Sequence, residues 1–210
     1  MSILTPPKSL PVPPEPLWGP GPEDASLPIN EVHVWRARLM EEPGRWNSCP
    51  VSRDRAGRVT TAVFRQDVLG RYMGAEGALP GVMSGPVAIL PGLRVAVAQC
   101  DHLALAAVSR NVRGMGLDIE RVREDIPFEE MAGGFLDARS QWDLRVTWSQ
   151  LEKAWKFFQF WTSNEACSQA QPLSQCTDGC HVHGFSPEAD FIAALAVEGG
   201  PEASVVYWDW

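Results

Sequence analysis

Several things are scarce in this chain, and each scarcity closes off a class of function. Positive charge is the first: 18 Lys and Arg stand against 26 Asp and Glu, giving a formal charge of −8 and a pI near 5.0. No stretch combines clustered cations with stacking aromatics, so no nucleic acid is expected as a partner. Long apolar runs are missing as well. Those around Leu103–Val108 and Phe191–Val197 fall far short of the roughly 20 residues needed to span a bilayer, so no membrane partner is expected either. The N-terminus lacks the basic-then-apolar order of a signal peptide, which makes the cytoplasm the expected address. Cysteine is sparse and odd in number, five in all, and reads as free thiols rather than a disulfide framework.

What remains is ordinary globular composition, 45% hydrophobic and 21% charged, enough for a sizeable core in 210 residues. Proline is unevenly placed, with nine of the 18 in residues 1–28. That segment favours extended polyproline geometry and reads as a flexible or surface-hugging arm. Order begins at Ile29, and the alternation of Val32 and Val34 with His33 and Trp35 predicts a strand. Near-helical spacing from Val63 to Leu79 predicts a helix ending near Pro80, followed by a proline- and glycine-rich connector to Gly92. Leu93–Val97 and Leu103–Ser109 read as strands around a turn at Cys100 and Asp101. Met115–Glu120 reads as a strand, Pro127–Leu136 as one helix and Ser149–Gln169 as a longer one. Phe191–Val197 and Ser204–Trp208 close the chain as strands separated by a Gly199-Gly200-Pro201 turn. The nine tryptophans, especially Trp148, Trp155, Trp161 and Trp208, read as core packing.

The expected fold class is α+β: an arm (1–28), then two similar-sized halves (29–112 and 113–210), with any ligand pocket in the cleft between them. The chain is expected to act as a monomer.

Asp118 and Glu120 flank Ile119 on a strand, so both carboxylates point to one face, with Cβ atoms about 7 Å apart at a rise of roughly 3.3 Å per residue. Such a pair repels unless a cation intervenes, and oxygen ligands at that spacing suit Mg²⁺, which takes further ligands from water and substrate phosphate. The plain alternative is a strand end that meets water, Arg121 or Arg123. Glu165, just after the cluster Phe157, Phe158, Phe160 and Trp161, is a possible third ligand or a solvent-facing helix glutamate.

A resemblance now bears on these readings. VHVWRARL (Val32–Leu39) is similar to the opening strand of Sfp-type 4'-phosphopantetheinyl transferases, and RYMGAEGAL (Arg71–Leu79) to their first long helix. DHLALAAVS (Asp101–Ser109) resembles the strand after that family's N-L-S-H-S loop, and ADFIAALAV (Ala189–Val197) its late strand. GLDIERVR (Gly116–Arg123) resembles the G-V-D-I-E motif, and FFQFWTSNEA (Phe157–Ala166) the W-x-x-K-E-A motif, about 45 residues further on. The resemblance covers roughly residues 29–210. It implies two α/β halves related by a pseudo-twofold axis, and transfer of the phosphopantetheine arm of coenzyme A to a serine of an acyl or peptidyl carrier protein, releasing adenosine 3',5'-bisphosphate, in polyketide or nonribosomal peptide assembly. It implies Asp118, Glu120 and Glu165 as Mg²⁺ ligands, Arg71 as a contact to coenzyme A phosphate, and Glu165 and Gln99 as the catalytic positions.

The departures from the family pattern mark this chain as a degenerate member. Where N-L-S-H-S is expected stand Ala96, Val97, Ala98, Gln99 and Cys100, so Gln99 replaces the histidine and Ala98 a serine. Asn164 and Gln169 replace two lysines, and the segment GPVAILPGL carries none. General acid–base help is worth about 10²–10⁴ in rate, so transfer by this chain is expected to be weak. Two alternatives stand beside it: a non-catalytic protein that grips a carrier or a pantetheine-bearing ligand, and an enzyme repurposed for other chemistry, with Cys100 and His102 as a thiol–imidazole pair. Cys176, Cys180, His181 and His183 carry zinc-ligand types at unsuitable spacing and read as a polar loop.

Overall fold

The computed structural model describes residues 12–39, 61–73, 87–90 (backbone), 92–110, 112–134, 136–170, 180–198 and 203–210. In chain order the elements are β1 (Gly19–Pro20), β2 (Glu31–Arg38), α1 (Thr61–Met73), β3 (Val87–Leu90), β4 (Leu93–Cys100), β5 (Leu103–Ser109), β6 (Gly114–Arg121), α2 (Phe128–Ala132), α3 (Ala138–Arg145), α4 (Gln150–Ala170), β7 (Cys180–Phe185), β8 (Phe191–Glu198) and β9 (Ser204–Asp209). They build an α+β fold of two unequal sheets, one in the order β1-β9-β2-β5-β4-β3 and one in the order β6-β8-β7.

β2, β4, β5, β6, β8 and β9 were legible in the sequence, but several boundaries and partners differ from that reading. The β4–β5 hairpin turns at Asp101 and His102, one residue later than expected, and Asp101 adopts a φ of 50°, a conformation that Asp tolerates better than most residues. Residues 87–90, expected in a connector, form β3 against β4. β8 and β9 do not pair: β8 lies between β6 and β7, whereas β9 runs parallel to β2, with Val34 opposite Tyr207. The expected helix Pro127–Leu136 is only the short α2, and α3 follows, unforeseen, with Asp137 capping it by accepting from the amides of Arg139 and Ser140. The segment after Met73, expected to continue α1 to Pro80, lies outside the described residues.

Both faces of β2 are covered. Val32 and Val34 enter a core shared by the two sheets, with Leu103 and Leu105 from one and Leu117, Ile119 and Leu195 from the other. Trp35 and Ala37, on the opposite face, pack with Phe64, Val68 and Leu69 of α1. The sheets are therefore packed face to face through interdigitating side chains. On the far side of the second sheet, α4 and α2 enclose Phe128, Phe157, Phe158 and Ile192. Trp148, expected in the core, is fully exposed. Its neighbour Thr147 turns inward instead, donating to the carbonyl of Asp143 and accepting from the buried Lys156 ammonium at 2.9 Å.

A buried polar chain fixes α1 on its sheet. Trp35 Nε1 donates to the Tyr72 hydroxyl at 2.6 Å, which leaves the Tyr72 proton for His33 Nδ1 at 2.8 Å and the His33 Nε2 proton for Glu31 at 2.6 Å. Burial pushes the Tyr72 phenol well above its usual range, so it acts here as a neutral hydroxyl. Tyr72→Phe would strand an indole N–H and an imidazole nitrogen in the core. A loss of about 1–3 kcal/mol in urea unfolding is expected, against near-neutrality if these bonds were exchangeable with water.

The proline-rich segment from Val12 onward is seated on the fold. Ser186 N–H donates to the carbonyl of Pro14, Gly21 N–H to Asp209, and Ala25 N–H to Arg71. Trp18 stacks under the Arg36 guanidinium at 4.3 Å and meets the Tyr207 ring edge-on. Pro restricts the unfolded chain, so seating such a segment loses less entropy than seating an ordinary one.

Candidate functional site

Four residues alternate along one face of β6: Gly114, Gly116, Asp118 and Glu120. The intervening Met115, Leu117 and Ile119 point the other way into the core between the sheets. The two glycines decide what covers that face. A Cβ at Gly116 would sit 1.9 Å from the carbonyl oxygen of Ala166, and one at Gly114 would sit 1.9 Å from that of Ala170. The backbone of α4 thus lies directly on the strand, helped by Ala166 and Ala170 against Ala194 and Ala196. Gln169 Oε1 accepts from the amide of Leu117 at 3.2 Å, satisfying a group on the edge of the second sheet. Moving back along α4 from Ala170 follows β6 forward, so that Trp161 comes within influence of the carboxylate of Glu120.

This packing half-buries both carboxylates. Asp118 is pushed up to about 7, first by burial, then by Glu120 and Glu165, against the opposing amide of Ile119. Its Oδ2 is buried without a hydrogen-bond partner. Burial also raises Glu120, with Asp101 and Glu165 adding to the effect and the positive charge of Arg123 opposing it. Glu165 thus acts on both Asp118 and Glu120, and Glu120 acts on Asp118. Asp118 and Glu120 form the fixed pair, while Glu165 is exposed on the helix above. Among the described residues, no three His, Cys, Asp or Glu side chains close in as a metal cage. An orphaned carboxylate oxygen beside a second carboxylate is nevertheless a donor set that fits Mg²⁺, which needs one or two protein carboxylates and completes its shell with water and phosphate.

The remaining anticipated residues are placed elsewhere. Gln99 shares the side of β4 that faces α1 with Val95 and Val97; it accepts from the Thr61 hydroxyl and donates to the carbonyl of Asp101 at 3.4 Å. Arg71 is held by Asp67 at 3.2 Å, by the carbonyl of Pro22 at 2.7 Å and by the face of Trp35 at 4.8 Å. Cys100 and His102 do not pair. The Cys100 thiol points at Glu120 Oε2, 4.0 Å away, while His102 Nε2 lies 2.9 Å from Glu188 and its ring meets Phe191 edge-on. Burial and Glu120 push Cys100 up to about 11, so it stays a thiol at neutral pH and is a poor nucleophile. Cys180, His181 and His183, read as a loop, lie in strand β7, and Cys176 lies outside the described residues.

The roles of Trp161 and Gly116 were missed from sequence, although G-x-G-x-D-x-E carries the signal. At period two, it places two absent side chains and two carboxylates on one face.

Compared with models of known protein families, the chain matches none. It is similar to the 4'-phosphopantetheinyl transferase HetI of Nostoc sp. (strain PCC 7120 / SAG 25.82 / UTEX 2576), 25% identical over 177 residues that span 73% of each chain. That likeness supports a transferase of the phosphopantetheinyl type, and the two-sheet α+β architecture is compatible with it. No described helix is long and apolar enough to cross a membrane.

Proposed function

We propose that this chain is a slow, Mg²⁺-dependent phosphopantetheinyl transferase, moving the phosphopantetheine arm of coenzyme A to a serine of an acyl or peptidyl carrier protein of secondary-metabolite assembly. The observation that carries the reading is the buried, unpartnered Oδ2 of Asp118 beside Glu120, under the influence of Glu165. Mg²⁺ on Asp118 and Glu120 would neutralise the charge that builds on the diphosphate. Glu165, exposed and next to the pair, takes the proton of the attacking serine as its oxygen bonds to phosphorus and the bond to adenosine 3',5'-bisphosphate breaks.

A second reading, binding of coenzyme A or a holo carrier without transfer, is favoured by one observation. Gln99, where the resembled family has histidine, is engaged by Thr61 on the α1 side of β4. Incubation with Mg²⁺, coenzyme A and a panel of apo carrier proteins separates the two. Transfer adds the mass of one phosphopantetheine to a carrier, and Glu165→Gln should slow it by about 10²-fold or more. Calorimetric binding with no mass gain across the panel would establish the second reading in its place.

A further inference from the structure

Consecutive residues at the β4–β5 turn each reach a different residue of the second sheet or of its β7–β8 turn. The Cys100 thiol donates to Glu120 Oε2 at 4.0 Å, the Asp101 carboxylate accepts from Arg121 at 3.4 Å, and His102 Nε2 meets Glu188 Oε2 at 2.9 Å. The turn is tight, with Cys100 opposite Leu103 and Asp101 at a φ of 50°, so its residues move together.

The His102 link is the anchored one. A carboxylate only accepts, so His102 Nε2 carries the proton. Glu188 is held from the other side, its Oε1 accepting from the Arg38 guanidinium at 2.8 and 2.5 Å. Arg38 ends β2, and the next amide, that of Leu39, donates to the His102 carbonyl at 2.6 Å. A ring thus closes from Leu39 through His102 and Glu188 back to Arg38. The His102 imidazole also stands edge-on to Phe191 at 5.3 Å, and Phe191 pairs across the second sheet with Arg121, the neighbour of Glu120. Exposed ion pairs hold little singly, but a network with shared partners holds more.

We propose that His102 and Glu188 are positioning residues for the carboxylate site: they lock the β4–β5 turn onto the second sheet, and through Cys100 that turn sets the orientation of Glu120 toward its ion. Both act through the turn rather than by contact with the ion. The proposal rests on the reading of Asp118 and Glu120 as an ion-binding pair.

The test is calorimetry of the full chain, stripped with EDTA and titrated with Mg²⁺ alone. Groups that orient a metal ligand contribute about 10- to 100-fold to affinity, so Cys100→Ala should weaken Mg²⁺ binding about 10-fold and His102→Ala, one step removed, about 3- to 10-fold. Adding His102→Ala to Cys100→Ala should cost about twofold more at most, because one acts through the other. His102→Gln keeps a neutral donor for Glu188 and should recover part of the loss. Asp137→Ala removes the cap of α3 and lowers stability without touching the turn, so it should bind Mg²⁺ as wild type does. Exchange of the Leu39 amide, followed by NMR without any ion, reports the ring directly and should quicken about tenfold in His102→Ala. Mg²⁺ affinity in His102→Ala within about twofold of wild type, full additivity with Cys100→Ala, or an equal loss in Asp137→Ala overturns the positioning role and leaves the ion site standing. Unchanged Leu39 exchange in His102→Ala overturns the lock on the turn. Wild type that takes up no Mg²⁺ overturns the ion site and the positioning role with it.

Discussion

Replacing Gly116 with alanine should lower the unfolding free energy by about 2–4 kcal/mol and weaken divalent-ion binding at the same time. The new methyl would stand 1.9 Å from the carbonyl oxygen of Ala166 and 2.8 Å from Cβ of Gln169. The obstacle is helix backbone, which cannot rotate away as a side chain would, so α4 must lift from β6 or the strand must bend. Overpacking of this kind costs about 1–3 kcal/mol, and more where the neighbour is rigid. Lifting α4 also carries Glu165 and Trp161 away from Asp118 and Glu120 and removes the Gln169 bond to Leu117. Urea denaturation with and without Mg²⁺ reads both effects. Gly70→Ala is the control: it lies inside α1 with nothing within 4 Å of the new methyl, and it should raise stability by up to about 1 kcal/mol. Should Gly116→Ala melt like wild type, the close approach of α4 to β6 is wrong.

The second large effect is electrostatic, and its sign is unusual for a carboxylate. Asp118 lies at about 7 in the fold against 3.8 for the free group, so the folded state holds its proton more tightly than the unfolded chain does. Stability is therefore highest in acid and falls as pH rises from near 4 through 7, with the full cost present above that. Glu120 shifts in the same direction. The sum is on the order of a few kcal/mol after allowance for relaxation and water. The metal-free protein should thus be measurably more stable at pH 6 than at pH 8, and millimolar Mg²⁺ should narrow that gap by neutralising the pair. Asp118→Asn should raise stability at pH 8 by about 1–3 kcal/mol, flatten the pH dependence and abolish the Mg²⁺ effect. Denaturation across pH 5.5–8.5 in EDTA and in Mg²⁺ measures all three. Parallel slopes for wild type and Asp118→Asn would sink the assignment.

What sequence alone could reveal follows the range of the interactions involved. β6 and α4 were legible because period two and period 3.6 are local signals, and the parity of Asp118 and Glu120 came with the strand. α3 was not, because Ala138–Arg145 buries only Leu144, too little to show a periodic face; its cap, Asp137, was the readable cue. β7 escaped because an edge strand leaves His181 and Val182 exposed, which reads as loop. Gln99 and Arg71 were placed by motif position, which carries no information on which face of a strand or which neighbour will claim a side chain. The partners Thr61, Asp67 and Pro22 are supplied by the fold.

The position of β9 has a consequence for biosynthesis. Residues 204–209 fill the slot beside β2, whose other neighbour, β5, is in place a hundred residues earlier. While the ribosome is still adding the stretch up to 198, a nascent chain carries β2 with one row of amides and carbonyls unmatched, open to any extended peptide nearby. Completion of the first sheet waits on a strand that is synthesised long after β5, so a chain that stops short of it is left prone to aggregate.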